Sequence, residues 1–288
     1  MQCSDRIKGL RTAPQARGAS RLTCLVRAWP ALQLLLLSWA SSASASEIAV
    51  CFDDADHTPY LFKDSQGTWR GAALDLAHAA IERAGLRVVW LPMPWIRCLR
   101  EAANPGTASK VEIALYGSLS AEREELFLAT VPLHQTQGGV WYSKSRHATL
   151  QLKAMDELAA FRLCGMHGHN YTWLKHLGIA QIDTGALTLR AAIRKLQLDR
   201  CDLVLSSREQ VEGADLLGQL ELPADLWFMP FPQRKPVAHH ILLSKLSSRG
   251  LALKTRLDKS LSELHGSGAA NEVYQRYVPS GTGVPLRP

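Results

Sequence analysis

The sequence predicts an α/β protein of two Rossmann-like lobes joined by two crossing segments. Two observations carry this: short apolar runs alternate with amphipathic stretches at helical spacing, and the alternation occurs twice along the chain. A third is the Gly138-Gly139 pair between the two rounds, where a segment crossing from one lobe to the other is expected.

In the first round, Ile48 to Phe52 reads as a buried strand, with turn residues from Asp53 to Pro59 after it. Gly71 to Ala84 has helical spacing at Leu74, Ala77 and Ile81, and Gly85 stands where a helix-ending glycine belongs. Leu86 to Trp90 reads as a strand, Trp95 to Ala103 as a helix stopped by Asn104-Pro105, and Val111 to Leu115 as a strand. Strand–helix–strand–helix–strand is the pattern of a parallel sheet covered by helices.

The second round begins with a strand at Arg162 to Met166, a short helix at Tyr171 to Leu177 and a strand at Ala180 to Asp183. An amphipathic helix, Leu187 to Leu198, then leads to the strand Asp202 to Leu205. A further extended stretch, Val237 to Leu243, precedes helices at Leu251–Leu264 and Ala270–Tyr277. The expected division is 46–137 with 241–288 in lobe 1 and 138–240 in lobe 2. Ligands of open parallel sheets sit beyond the carboxyl ends of the strands, so the loops there are the places to seek chemistry.

Residues 1–45 read as a signal peptide. Arg6, Lys8, Arg11, Arg17, Arg21 and Arg27 precede a 13-residue apolar run, Ala28 to Ala40, and a small-residue tail ending in Ala43-Ser44-Ala45. That run is shorter than the ~20 residues a membrane-spanning helix needs. The expectation is export to the periplasm. The chain carries 33 Lys+Arg and 26 Asp+Glu, a formal +7. Six of the bases and one of the acids lie in the leader, so the rest is nearly neutral and offers no footprint for nucleic acid.

Four cysteines remain after the leader: Cys51, Cys98, Cys164 and Cys201. An oxidising compartment favours disulfides. Of the three possible pairings, the favoured one places one bridge in each lobe, Cys51–Cys98 and Cys164–Cys201; four free buried thiols are the alternative. No Cys-x-x-Cys pair, Walker loop, Gly-x-Ser-x-Gly or His-Glu-x-x-His is present, so no zinc knuckle, nucleotide loop or familiar hydrolase signature is read. His167, His169, His239 and His240 invite a metal reading, but no acid or Cys completes a ligand spacing; no metal or cofactor is expected.

An ordered set of motifs runs through the chain. It comprises Pro59-Tyr60, Gly67-Thr68-Trp69-Arg70-Gly71 leading to Asp75-Leu76, Trp95, and Ser118-x4-Arg123 with Phe127 and Pro132. Cys201-Asp202-Leu203-Val204, Leu243-Ser244-Lys245 and a closing Tyr274-x-x-Tyr277 complete it. Over 47–280 the chain thus resembles the family 3 periplasmic solute-binding proteins, the amino-acid-type receptors of ABC importers with the type II periplasmic binding fold.

The resemblance implies roles. Arg123, five residues after Ser118, would fix a ligand carboxylate, since a guanidinium fork matches a carboxylate bidentately. Taken alone, Arg123 among Glu122, Glu124 and Glu125 would read as part of a solvated helix face. Trp95 would lie against the ligand side chain, or serve as a core residue. His57 would pack over the ligand, or be a solvated loop residue. Asn170 stands where the family has Ser or Thr, and could cap a helix or donate to an anion. Family members that bind amino acids carry an acid five residues after the Asp matched by Asp202; here that position is Ser207, which puts standard α-amino-acid binding in doubt. The implied function is capture of an amino-acid-like or carboxylate-bearing solute between closing lobes, by a monomer serving an ABC permease. The alternatives are an enzyme on the same scaffold, of cyclohexadienyl dehydratase type with Asp53, Asp54 or Asp56 as acid or base, and a free sensory or docking protein.

Overall fold

The computed structural model describes residues 46–106, 110–167, 169 and 171–278. The expected signal peptide and Asn170 lie outside the described residues.

Lobe 1 begins with β1 (Ser46–Asp53), a short ribbon of β2 (Phe62–Lys63) and β3 (Trp69–Arg70), α1 (Ala72–Arg83) and β4 (Leu86–Met93). It continues with α2 (Trp95–Ala103), β5 (Ile113–Ser118), α3 (Ala121–Leu126), β6 (Phe127–Ala129) and β7 (His134–Thr136). The chain then crosses to lobe 2 with β8 (Gly138–Ser143), β9 (Leu163–Met166), β10 (Asp183–Ala186), α4 (Leu189–Gln197), β11 (Leu203–Ser207), α5 (Arg208–Leu216) and β12 (Leu226–Pro230). It returns with β13 (Val237–Ser244), α6 (Gly250–Gly266) and α7 (Ala269–Gln275).

The two sheets share one construction. In the first, ordered β4-β1-β5-β13-β6, strand β1 runs parallel to β4 and β5, while β13 is antiparallel to β5, β6 and β7. In the second, ordered β10-β9-β11-β8-β12, strand β9 runs parallel to β10 and β11, while β8 is antiparallel to β11 and β12. The sheets are therefore mixed, where the sequence pattern predicts parallel ones. The reason is topological. Parallel strands finish at the cleft, whereas β8 and β13 arrive from the opposite lobe, start at the cleft and run away from it. The expected boundary at 240/241 falls inside β13, whose His239 and His240 pair with Ser118 and Gly117.

Local chemistry accounts for most elements. Strand β1 is central and covered on both faces, so Ile48, Val50, Cys51 and Phe52 are all fully buried. Helix α1 turns Leu74, Ala77 and Ile81 inward against β4, β5 and α6. Its first turn requires glycine at 71: φ is +132°, and a Cβ there would stand 2.2 Å from the Tyr60 carbonyl oxygen.

Three expectations shift. The strand placed at Ala180–Asp183 forms at Asp183–Ala186, and the helix at Tyr171–Leu177 is a 3₁₀ segment, Thr172–Leu177. The Gly138-Gly139 pair, read as part of the crossing, opens β8. A Cβ on Gly139 would lie 2.3 Å from the Met229 carbonyl oxygen, so the glycine admits β12 rather than marking a turn.

Each lobe is stapled once. Cys51 of β1 is bonded to Cys98 of α2, and Cys164 of β9 to Cys201 just before β11, with Cα separations of 5.6 and 5.9 Å. All four cysteines are buried between sheet and helix. Replacing either pair by alanine is expected to cost about 2–4 kcal/mol, by relaxing the unfolded chain that the bridge constrains. Guanidinium denaturation of each double variant measures it; midpoints equal to that of the oxidised parent would contradict the account.

Candidate functional site

A cleft of about 540 Å³ opens between the lobes, at the carboxyl ends of β1, β5 and β11. Its walls include Asp53, His57, Trp95, Tyr116, Ser118 and Arg123 from lobe 1, and His169, Tyr171, Trp173, Ser207 and Gln210 from lobe 2. The crossing segments add Gln137, Phe231, Arg234 and Lys235. Five sequence-predicted residues, Arg123, Ser118, Trp95, His57 and Ser207, thus face one cavity; Asn170 lies outside the described residues.

Arg123 sits in α3, whose start is capped by Ser120, the hydroxyl accepting the Arg123 N–H at 3.3 Å. Its guanidinium folds back onto the end of β5: Nη1 donates to the Ser118 carbonyl at 2.7 Å and to Ser118 Oγ at 3.2 Å. It also lies 5.5 Å from the centre of the Trp95 ring. Glu122, Glu124 and Glu125 remain exposed, while Arg123 is half-buried and forms no ion pair among the described residues. Burial pulls its pKa down, the charge of Glu122 acting the other way. A cation withdrawn from water without a counter-ion is costly, so this geometry favours an anion in the cleft.

Beside it, His57 Nε2–H donates to Asp53 Oδ2 at 2.8 Å, and Asp53 Oδ1 accepts the Ala55 N–H at 3.3 Å. Burial pushes the Asp53 carboxyl up, but the hydrogen bond and charge of His57, with backbone donors, hold it below its ordinary value. The His57 ring stacks at 5.6 Å on His169 from the opposite lobe. Burial brings the His169 pKa down to about 4, with His57 adding to the effect.

Sequence reasoning missed Tyr116, Glu209 and Arg234. Tyr116 is a single-residue bulge: Leu115 pairs with Ile241 and Gly117 with His240, leaving Tyr116 between them at φ +71°. That conformation is costly for an aromatic residue. It lets the ring stack on His239 at 4.3 Å and 8° while bordering the cleft. Its only sequence signal is an aromatic before Gly117 at a strand end.

Ser207 caps α5, its hydroxyl accepting the Gln210 N–H at 3.2 Å. The acid two residues on does not face the cleft. Glu209 is fully buried behind the crossing, where its two carboxylate oxygens accept the Gln137 N–H at 3.0 and 3.1 Å. His240 is engaged by the Thr130 carbonyl at 2.7 Å. Among the described residues, no three His, Cys, Asp or Glu side chains converge as a metal site needs.

Residues 48–280 match the sequence model of the bacterial extracellular solute-binding proteins, family 3. No curated protein sequence matches the chain. Among solved structures, the fold is similar to that of the amino-acid ABC transporter substrate-binding protein AbpA from Streptococcus pneumoniae bound to L-arginine. There the TM-score is 0.62 and the identity 20%, over 81% of this chain and 94% of that one. It is similar to an ABC uptake transporter substrate-binding protein from Streptococcus pneumoniae with bound histidine, with TM-score 0.63, 20% identity, and 83% and 94% of the two chains covered. It is also similar to the ancestral amino-acid-binding protein AncCDT-1, a precursor of cyclohexadienyl dehydratase, with TM-score 0.62, 17% identity, and coverage of 81% and 96%. At these identities the likeness is one of fold.

Glu209 gives the site a pH signature. Burial raises its pKa from 4.5 to about 7, against the hydrogen bonds that lower it. In the fold it therefore keeps a proton that the unfolded chain has released. Its contribution to stability is fullest below pH 4.5 and is lost as pH rises through about 7. Glu209→Gln is expected to remove that loss, so the stability difference between variant and parent grows from pH 4.5 to pH 7 in the variant's favour. Urea titrations across that range check it, and a flat difference counts against the assignment.

Proposed function

The chain belongs to the bacterial extracellular solute-binding proteins, family 3, and from that premise we propose that it captures a small carboxylate-bearing solute by closing its two lobes. The single observation behind this reading is Arg123, a half-buried guanidinium aimed into the cleft without a carboxylate partner among the described residues. Its fork would hold the solute's carboxylate, with Ser118 fixing the guanidinium from behind. Trp95 and His57 would flank the bound molecule, and Ser207 would offer a neutral hydroxyl from lobe 2. Without an acid at 207, an α-ammonium has no ready counter-charge, so a carboxylate lacking the amine suits the site better than a standard amino acid.

The lobes are drawn as 46–136 with 237–278, and 138–230, turning about Gln137 and the segment 231–236. Hinge closure of this kind removes water from the guanidinium and strengthens its hold on the ligand. The leader-like sequence of 1–45 supports export, and the two bridged cysteine pairs suit an oxidising compartment. Among the described residues no helix is long and apolar enough to cross a membrane. Delivery to an ABC permease is part of this proposal, and the transporter-linked role of AbpA, a protein of similar fold, supports it.

A second reading, catalysis on the same scaffold, rests on the Asp53–His57 pair, which brings a carboxylate and an imidazole together at the cleft. It predicts turnover of a cyclic acid such as prephenate that Asp53→Asn abolishes while binding survives.

Native mass spectrometry of the purified protein, followed by unfolding and identification of the released molecule, tests the binding reading. A stoichiometric carboxylate in the parent, absent from Arg123→Ala, is the expected result. Retention of the same molecule by Arg123→Ala would overturn it.

A further inference from the structure

The segment between β12 and β13 carries a second guanidinium into the cleft. Arg234 lies 4.4 Å from the centre of the Trp173 ring and 5.8 Å from that of Phe231, half-buried against lobe 2. Both rings lie within cation–π reach of it, and burial lowers its pKa. It forms no ion pair among the described residues. Several other arginines find carboxylates: Arg162 reaches Asp199 and Asp202, Arg208 reaches Glu212, and Arg249 reaches Glu112, while Arg190 and Arg256 donate to backbone carbonyls. Arg123 and Arg234, which face the same cavity, find no carboxylate among the described residues.

The charges of the cleft agree with this. Its lining holds three permanent cations, Arg123, Arg234 and Lys235, against one acid, Asp53. That acid is already engaged by His57 and the Ala55 N–H. His169 and His239, brought down by burial to about 4 and about 3, are neutral at pH 7 and supply no further charge. A cationic or zwitterionic solute would enter a site whose charge it does not balance. A solute with one carboxylate would satisfy Arg123 and leave the half-buried Arg234 without a counter-ion.

We propose that the solute is a dicarboxylate lacking an α-ammonium group, one carboxylate held by Arg123 and the other by Arg234. This rests on the carboxylate reading above and extends it to substrate class. Arg234 belongs to the crossing segment and Arg123 to lobe 1, so such a solute ties the hinge to the cleft wall. Specificity then arises from spacing as well as charge, because the two guanidinium groups stand at separate places, one on Ser118 and the other beside Trp173.

Calorimetric titration of the purified protein with glutarate, its monomethyl ester, L-glutamate and L-arginine tests the assignment. Glutarate and its ester differ by one charge at nearly constant size. The expectation is that glutarate binds at least ~10-fold more tightly than the ester, since one charge-assisted contact is worth about that much. L-arginine should bind more weakly than either. Arg234→Ala should bring the ratio of glutarate to ester affinity close to one, and Arg234→Lys should leave it between the two. Circular dichroism confirms that the variants are folded. If the ratio is the same in parent and Arg234→Ala, or if L-arginine or L-glutamate binds more tightly than glutarate, the dicarboxylate assignment fails while Arg123 keeps its role. If no probe binds, or if Arg123→Ala binds them all as the parent does, the carboxylate reading itself fails, and this inference with it.

Discussion

Two strands that change lobes set the rest of the architecture. Because β8 and β13 each begin at the cleft, they must run against the parallel strands that end there, and they lock each sheet to the connection with the other. Gln137 stands between β7 and β8, and its N–H is held by the buried carboxylate of Glu209 from α5. The crossing is thus fixed at its centre by an acid with no access to solvent. The ends of β1, β5 and β11 converge on the space beside it, which is why Asp53, Ser118 and Ser207 come to share one cavity. The lobes already touch next to that cavity, through the Thr58–Gln219 hydrogen bond at 2.7 Å and the His57–His169 ring contact. Gly213 of α5 packs so closely on lobe 1 that a Cβ would lie 2.6 Å from Pro59 Cγ.

The polarity of the cleft follows from what is missing as much as from what is present. Two guanidinium groups are partly stripped of water and lie within cation–π reach of aromatic rings, Arg123 near Trp95 and Arg234 near Trp173. Each is half-buried without a carboxylate partner among the described residues, so part of its hydration is lost without a counter-charge. Under the proposed function, an anionic guest would supply the counter-charge that both groups lack. Ser207 completes the logic. It caps α5 and lines the cleft with a neutral hydroxyl at the position where an acid would otherwise meet an ammonium.

Much of the fold was legible because its signals are local. The glycine at 71, the apolar run of β1 and the Asn104 stop each follow from short-range sterics or burial, and each stands close to where the sequence predicts. The antiparallel direction of the crossing strands was not legible, although Val237 to Leu243 reads as extended and becomes β13. Gly138-Gly139 has the composition of a turn, and only the close approach of Met229 explains why glycine is needed in a strand. Part of the site could be read through the Ser118–Arg123 spacing, which the motif resemblance singled out from an otherwise acidic helix. Arg234 could not, because it lies between elements, next to Gln233 and Lys235, in a stretch that reads as a polar loop. Its significance comes from Trp173, which is far away in sequence. Glu209 was equally hidden, since nothing local distinguishes a buried acid in the first turn of a helix from an exposed one.

The most direct test is a crystal structure of the protein with its own co-purified solute in place. The account predicts one molecule between the lobes, with a carboxylate at charge-assisted hydrogen-bond distance, about 2.7–2.9 Å, from the Arg123 guanidinium. The same molecule should also touch groups of lobe 2. A solute bound outside the cleft, or one inside it that turns an ammonium or neutral group toward Arg123, would contradict it.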